Sequence, residues 1–251
     1  SFAELTHAFN NGWQLKSQLT HKQADSDARL HYIYGRENAT TGLGLYSYPG
    51  MYRTRTEDNV LDIHVNGPLQ LAGRQHELVF GTTLSKAEVQ DYARFGTIGT
   101  ALSSFDSAAD FPLPTFGAES KTADFTTRAM NTYTAARLNP ADGLKFIIGS
   151  SLLSYDMQGI SYGVAQSAEA SNKLTPYLGT VYDINDTHSI YASYTGIYKP
   201  QNELGADFKV LDPLKGKNYE AGLKSEWLNG HLNSTFTVFR TEQENVAQQI
   251  D

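Results

Sequence analysis

Apolar and polar residues alternate along most of this chain. Over 218–228, Tyr219, Ala221, Leu223, Ser225 and Trp227 fall on one side of an extended backbone, with Asn218, Glu220, Gly222, Lys224 and Glu226 on the other. Residues 60–71 repeat the pattern, with Leu61, Ile63, Val65 and Leu69 opposite Asp62, His64, Asn66 and Gln70. Residues 13–22 do the same, with Trp13, Leu15 and Leu19 opposite Gln14, Lys16, Gln18 and Lys22. Weaker versions run through 144–155, 174–184, 189–199 and 232–239. A period of two over most of the length predicts antiparallel strands, about ten of them with the first only partly present, and no helical core.

The links between strands alternate in length. Turn-like links fall at 10–12, 72–74, 140–143, 185–186 and 229–230, and Asn229-Gly230 is the best two-residue hairpin signal of the set. Long links rich in Gly, Ser, Ala, Pro and aromatics are expected at 37–51, 96–121, 158–173 and 200–216. Short turn, strand, long loop, strand is the rhythm of an up-and-down transmembrane β-barrel, with short turns on the periplasmic side and long loops outside. Trp13 and Trp227 each lie beside a short turn on the apolar face, where an aromatic belt would hold them. They would equally serve as core tryptophans of a soluble antiparallel sandwich.

Composition narrows the alternatives. The 251 residues are 40% hydrophobic, 12% aromatic and 19% charged, too aromatic for a disordered chain. Twenty basic against 27 acidic side chains leave a net charge of -7 and no Lys/Arg-rich run, which argues against a nucleic-acid partner. No apolar stretch is long enough for a membrane-spanning helix, and a mean hydropathy of -0.42 is what an alternating barrel wall gives. The absence of cysteine removes disulfides, thiol catalysis and cysteine-bound zinc.

The run Leu211-Asp212-Pro213-Leu214-Lys215-Gly216-Lys217-Asn218-Tyr219-Glu220-Ala221-Gly222-Leu223-Lys224-Ser225-Glu226 resembles a barrel segment of TonB-dependent siderophore receptors, where Gly-x-x-Tyr-Glu-x-Gly-x-Lys opens a descending strand. Leu174-Thr175-Pro176-Tyr177, Ser189-Ile190-Tyr191-Ala192-Ser193-Tyr194 and Tyr198-Lys199-Pro200-Gln201 are similar to the preceding hairpin of those receptors. Gly67-Pro68-Leu69-Gln70-Leu71 and Gly73-Arg74-Gln75-His76-Glu77-Leu78-Val79 resemble another, closest to the ferric-hydroxamate, coprogen and pyoverdine branch. Nothing resembles the family's N-terminal plug, its energy-coupling box or its terminal aromatic residue, and Ser1 and Asp251 read as cuts. The resemblance implies an all-β fold, with residues 1–251 forming a single partial domain: about ten strands of a barrel of about 22.

It also implies a function. The expected role is capture and energy-coupled uptake of a ferric siderophore at the outer membrane of a Gram-negative bacterium. The implied partners are a TonB-type coupling protein acting through the plug, and lipid or lipopolysaccharide around the wall. No cofactor is expected, because iron arrives inside the ligand. Loop and upper-wall aromatics suited to packing on an organic chelate are Tyr46, Tyr48, Tyr52, Tyr155, Tyr162 and Tyr198, and Arg53 is a candidate for meeting an anionic siderophore. Each has a plainer use as a belt or loop-packing aromatic, or as a solvated charge.

The competing expectation is a complete small outer-membrane barrel acting as a protease, lipase or adhesin. Asp62 and His64 share one face and form the best carboxylate-histidine pair, but they lie about two-thirds of the way down their strand, not at the rim. The seven histidines show no metal-ligand spacing. Residues 165–170 allow a single helical turn inside the 158–173 link.

Overall fold

A computed structural model describes residues 1–97, 102–103, 114–201, 203–207 and 209–248. They form one antiparallel sheet: β1 (Phe2–Ala8), β2 (Gln14–Gly35), β3 (Leu43–Leu71), β4 (Arg74–Thr97), β5 (Leu102–Ser103), β6 (Thr115–Phe116), β7 (Ser120–Ala141), β8 (Leu144–Ser161), β9 (Val164–Asp183), β10 (His188–Lys199), β11 (Leu214–Trp227) and β12 (Leu232–Glu244). The long strands pair in chain order, β1-β2-β3-β4-β7-β8-β9-β10-β11-β12, while β5 and β6 add two-residue pieces to β3 and β4. No ladder joins β1 to β12, so the sheet is an open wall whose two ends are edges.

The ladders bring apolar residues of neighbouring strands into rows. Leu19, Leu61, Leu84 and Met130 are successive register partners, as are Leu15, Val65 and Phe80. Further along, Ile148 meets Leu178, Tyr194 and Tyr219, and Ile190 meets Leu223 and Phe236. Most of these large side chains are exposed, from 39% for Leu223 to 70% for Phe236, with Leu15, Leu61, Val65 and Tyr194 half-buried, whereas the polar Asp62, His64, Asn131 and Tyr133 on the other face are all half-buried. A water-soluble sandwich does the reverse, so the sandwich alternative fails. The apolar rows span 61–69 of β3, 76–84 of β4, 144–152 of β8 and 174–182 of β9, close to the ~9–11 residues with which a tilted strand crosses a bilayer.

The short links close this band at one end. Ala72-Gly73 is a two-residue turn with positive φ at both positions. Asn185 Oδ1 accepts from the Thr187 and His188 amides, each at 2.9 Å. The Asn229-Gly230 turn is wider than the sequence predicts. Trp227 pairs with Leu232, and residues 228–231 form the loop, with positive φ at Leu228 and Asn229 as well as Gly230. Trp13 lies across Gly67, where an added Cβ would stand 2.5 Å from the indole, so glycine at 67 lets the belt residue lie flat on β3.

Beyond the band the strands continue, which the sequence did not reveal. β3 has 29 residues, about 95 Å of extended chain. The link expected at 37–51 is therefore strand from Leu43, and the link proper is 36–42. The long loop expected at 158–173 is a tight hairpin instead: β8 and β9 pair as far as Ser161–Val164 around Tyr162-Gly163, whose φ angles of 47° and 80° fit a two-residue turn. The helical turn anticipated at 165–170 is part of β9. The expected long links at 96–121 and 200–216 hold in outline, although 98–101 and 104–113 of the first lie outside the described residues.

One irregularity near the short turns is held by a side chain. β7 leaves register between Leu138 and Ala141. The freed Asn139 amide donates to His76 Nδ1 at 2.9 Å, while the nearly buried His76 ring gives its Nε2 proton to the Leu71 carbonyl at 3.1 Å. Both partners have fixed polarity, so the ring is held as the Nε2–H tautomer.

Two measurements test this wall in the natural polypeptide, using the temperature at which its heat-modifiable folded band is lost. Replacing Ile63 by Arg puts a charge on the lipid side and should cost about 2–4 kcal/mol. His76→Ala leaves an amide and a carbonyl unpaired and should cost about 1–3 kcal/mol, with His76→Gln recovering part of the loss.

Candidate functional site

Counting in twos up β3 from the polar face of Asp62 leads through Thr56 and Thr54 to Tyr52, Gly50, Tyr48 and Tyr46. The face that is polar within the band thus becomes aromatic at the far end. Cross-strand partners extend it: Tyr34 sits opposite Tyr46, Tyr32 opposite Tyr48, and Phe95 opposite Gly50. The Tyr34 and Tyr46 rings stack at 5.7 Å, Tyr48 and Phe95 stack at 5.5 Å, and Tyr52 meets Phe95 edge-on at 6.2 Å. Gly50 makes the last contact possible, since a Cβ there would lie 2.5 Å from the Tyr52 hydroxyl oxygen. Tyr32, Tyr34, Tyr46 and Tyr48 stay substantially exposed, while Ser47 and Pro49 on the opposite face are buried. The result is a rigid, open aromatic surface on β2, β3 and β4, able to receive a flat or apolar ligand group with phenol hydroxyls at its margin.

Tyr46, Tyr48 and Tyr52 are thus brought together, and the other predicted residues are not. Arg53 points to the opposite face. Its Nη2 donates to Glu119 at 2.7 Å, its guanidinium lies 4.7 Å from the Tyr92 ring centre, and Arg94 approaches the same Glu119 at 3.7 Å. This charge pins the return of the long link onto β3 and is turned away from the aromatic surface. Tyr198 also lies on the outward face, opposite Lys215, where burial foremost and then the Asp212 carboxylate push its phenol above the ordinary tyrosine range. Tyr155 faces inward but on β8, several strands away and level with Ala129. Tyr162 is at the tip of the β8–β9 hairpin, its amide donating to the Thr122 carbonyl at 2.7 Å.

The sequence reading missed Tyr32, Tyr34 and Phe95. The signal was present: Leu30, Tyr32 and Tyr34 occupy every second position, as do Ala93 and Phe95. Gln201 was also missed. Its buried Nε2 donates to the Asp212 carbonyl at 2.6 Å and to the Asn245 carbonyl at 2.7 Å, and Asn245 Nδ2 donates to the Pro213 carbonyl at 3.0 Å. These bonds staple the 200–213 link to the end of β12. Within the link, Leu204 bridges Val210.

Asp62 and His64 form a contact, Nδ1 to Oδ1 at 2.9 Å, but Thr83 donates to the same carboxylate at 2.7 Å and the Tyr133 hydroxyl lies 3.3 Å away. The carboxylate is saturated by strand neighbours at mid-membrane depth, an arrangement suited to satisfying a polar wall and not to a general base poised over a substrate.

Comparison with known proteins gives a consistent picture. The family described as "TonB dependent receptor-like, beta-barrel" matches residues 2–251. The ferripyoverdine receptor of Pseudomonas aeruginosa is 37% identical over 253 residues, which cover 99% of this chain and 30% of that protein. The ferric-pyoverdine BN7/BN8 receptor of Pseudomonas putida is 33% identical, covering 98% and 32%. Among solved structures, the pyoverdine outer membrane receptor FpvA from Pseudomonas aeruginosa PAO1 bound to pyoverdine is similar with a TM-score of 0.89 and 35% identity, covering 100% of this chain and 36% of that one. The chain spans about a third of the length of the relatives it matches.

The staple is testable by hydrogen exchange. Gln201→Ala should raise amide exchange at 203–211 by at least tenfold and leave the β10–β11 ladder unchanged, since only the loop loses its anchor.

Proposed function

The chain belongs to the TonB-dependent receptor β-barrel family, and we propose that it forms part of the wall and rim of an outer-membrane receptor of a Gram-negative bacterium that takes up a ferric siderophore. In this reading residues 1–251 are one partial barrel domain. The long links and tall strands face the exterior, and the apolar band meets lipid, including lipopolysaccharide. The ligand is a pyoverdine-type chelate, and iron travels inside it with no metal ligand from the protein. Inward passage is driven by a TonB-type coupling protein acting through a plug.

The observation that carries the reading is the aromatic surface of Tyr32, Tyr34, Tyr46, Tyr48, Tyr52 and Phe95, on the inward face at the end away from the tight turns. A ferric chelate with a flat aromatic part gains stacking energy there, and open phenol edges offer hydrogen bonds to its polar periphery. Relatives named as ferripyoverdine and ferric-pyoverdine receptors support the ligand class. The receptors named above give no support to the alternative of a small barrel protease, lipase or adhesin, and the saturated Asp62 carboxylate does not serve it as a general base.

Binding of ferric pyoverdine loaded with radioactive iron to the natural polypeptide should saturate. Tyr48→Ala with Phe95→Ala should weaken it about tenfold or more, about 1.4 kcal/mol. Arg53→Gln should change it by less than about twofold, because that charge is committed to Glu119. Binding no greater than in receptor-free membranes, across ferric siderophores of the hydroxamate, catecholate and mixed-peptide classes, would refute the uptake reading.

A further inference from the structure

The ladder between β9 and β10 ends at Tyr177 and Thr195. Pro176, the next residue of β9, has no N–H to give, and its ring lies so close to Gly196 that an added Cβ there would stand 2.9 Å away. β10 stops at Lys199, and the buried Gln201 side chain ties the following link to Asn245 at the end of β12. β9 meanwhile runs on to Val164, paired with β8 alone. The wall therefore has a step. Its riser, from Val164 to Ser171, is about 23 Å of strand edge with no ladder partner among the described residues.

The open groups can be named. A two-residue turn makes Ser161 and Val164 a pair that exchanges both backbone hydrogen bonds, so alternate residues from Val164 onward bond to β8. Those between them, Ala165, Ser167 and Glu169, direct N–H and C=O to the open side, and all three are exposed. The stretch is rich in small side chains, Ala165, Ser167, Ala168, Ala170 and Ser171, so a second backbone can approach to ladder distance. Folded proteins blunt such an edge with proline, lysine, a bulge or a cover. Here Pro176 and the register shift between Leu153 and Tyr155 mark only the lower end.

Charge gives the edge a preference. On the outward face Lys86, Arg128, Asp156 and Glu169 are successive register partners in one row across β4, β7, β8 and β9. Asp156 has Arg128 on its other side. Glu169, last in the row, has only the like charge of Asp156 opposite it and accepts from the Ser171 hydroxyl at 3.1 Å. Lys173, Lys215 and Lys217 border a hollow of about 510 Å³ that Glu169 also lines, but none forms an ion pair with it among the described residues. The next place in the row lies across the open edge, and a cation there would be favoured.

We propose that the edge of β9 takes up an extended segment of another polypeptide outside the cell, added as a further strand with a lysine or arginine opposite Glu169. Main-chain hydrogen bonds to Ala165, Ser167 and Glu169 supply the attachment, and the cation sets the register. An extended backbone is the ligand chemistry that fits, because its donors and acceptors repeat at the spacing of the strand. The proposal rests on the membrane orientation of the sheet, which places this step outside, and is independent of which siderophore is carried.

The test uses the natural polypeptide purified in detergent, with hydrogen exchange resolved to single amides. In the receptor alone, Ala165, Ser167 and Glu169 should exchange at least tenfold faster than Gln166 and Ala168, which bond to β8. The probe is a fluorescently labelled ten-residue peptide that alternates threonine and valine around a central lysine. Its binding, read by anisotropy, should saturate and should slow exchange at the three edge amides. The same peptide with its amide nitrogens methylated should bind at least tenfold more weakly, as should a version with glutamate in place of lysine, and Glu169→Lys should reverse the preference between lysine and glutamate. Ser167→Pro removes an edge donor that β8 does not use, and should abolish peptide binding while leaving ferric pyoverdine binding unchanged. If that variant does not fold, Glu169→Lys carries the test. Slow exchange at the three amides in the receptor alone would mean that its own chain or a second copy already covers the edge. That result, a lysine peptide that does not bind, equal binding of the methylated peptide, or undiminished binding by Ser167→Pro would each overturn the proposal.

Discussion

A peptide group in hydrocarbon has no water to bond with, and leaving one unpaired costs several kcal/mol. The architecture follows from that penalty. The described strands in the apolar band run in continuous ladders from β1 to β12, and where β7 leaves register with β8 near the short turns the His76 ring takes up the freed amide. Once the backbone is committed to ladders, side chains must alternate, and the two faces receive different solvents. Leucines and aromatics turn outward in rows, and hydroxyls, carboxylates and tyrosines turn inward, where networks such as Asp62–Thr83–Tyr133 satisfy one another.

Above the band this requirement relaxes, because water reaches both faces. The ladders nevertheless persist, and the strands become a stiff scaffold for recognition. Aromatic rings that would be mobile on a loop are instead fixed by cross-strand partners, as Tyr48 is by Phe95. Ring surface displayed in a preset arrangement loses little conformational entropy when a ligand arrives. The opposite face at the same height is used for anchorage: Arg53 and Arg94 converge on Glu119 and hold the return of a long link.

This division explains what could be read from the residues alone. Alternation was plain at 60–71 and 218–228 because lipid on one side and polar surroundings on the other force contrast between neighbours. At 158–173 both sides meet water, the contrast fades, and the segment looked like a loop although it is a hairpin around Tyr162-Gly163. Aromatic residues at 46, 48 and 52 were recognised by type, but their shared face came from the strand that contains them. Arg53 and Tyr198 show the same point in reverse: counting in twos from Ile63 or from Ile190 assigns both to the outward side. The contacts of Gln201 had no such signal, since they join links to strands far apart in sequence.

The unbroken run of β3 from Leu43 to Leu71 has a further consequence. Parity is conserved along a strand, so the rim inherits its phase from the membrane. One residue inserted between Asn59 and Leu61 would present Ser47, Pro49 and Arg53 where the three tyrosines now stand, while the lipid side below stayed intact. Two residues would keep the tyrosines facing inward and lift them by about 7 Å relative to the band. Diversification of such a rim is therefore quantised. Change between strands is free in length, but change within them must come in even steps.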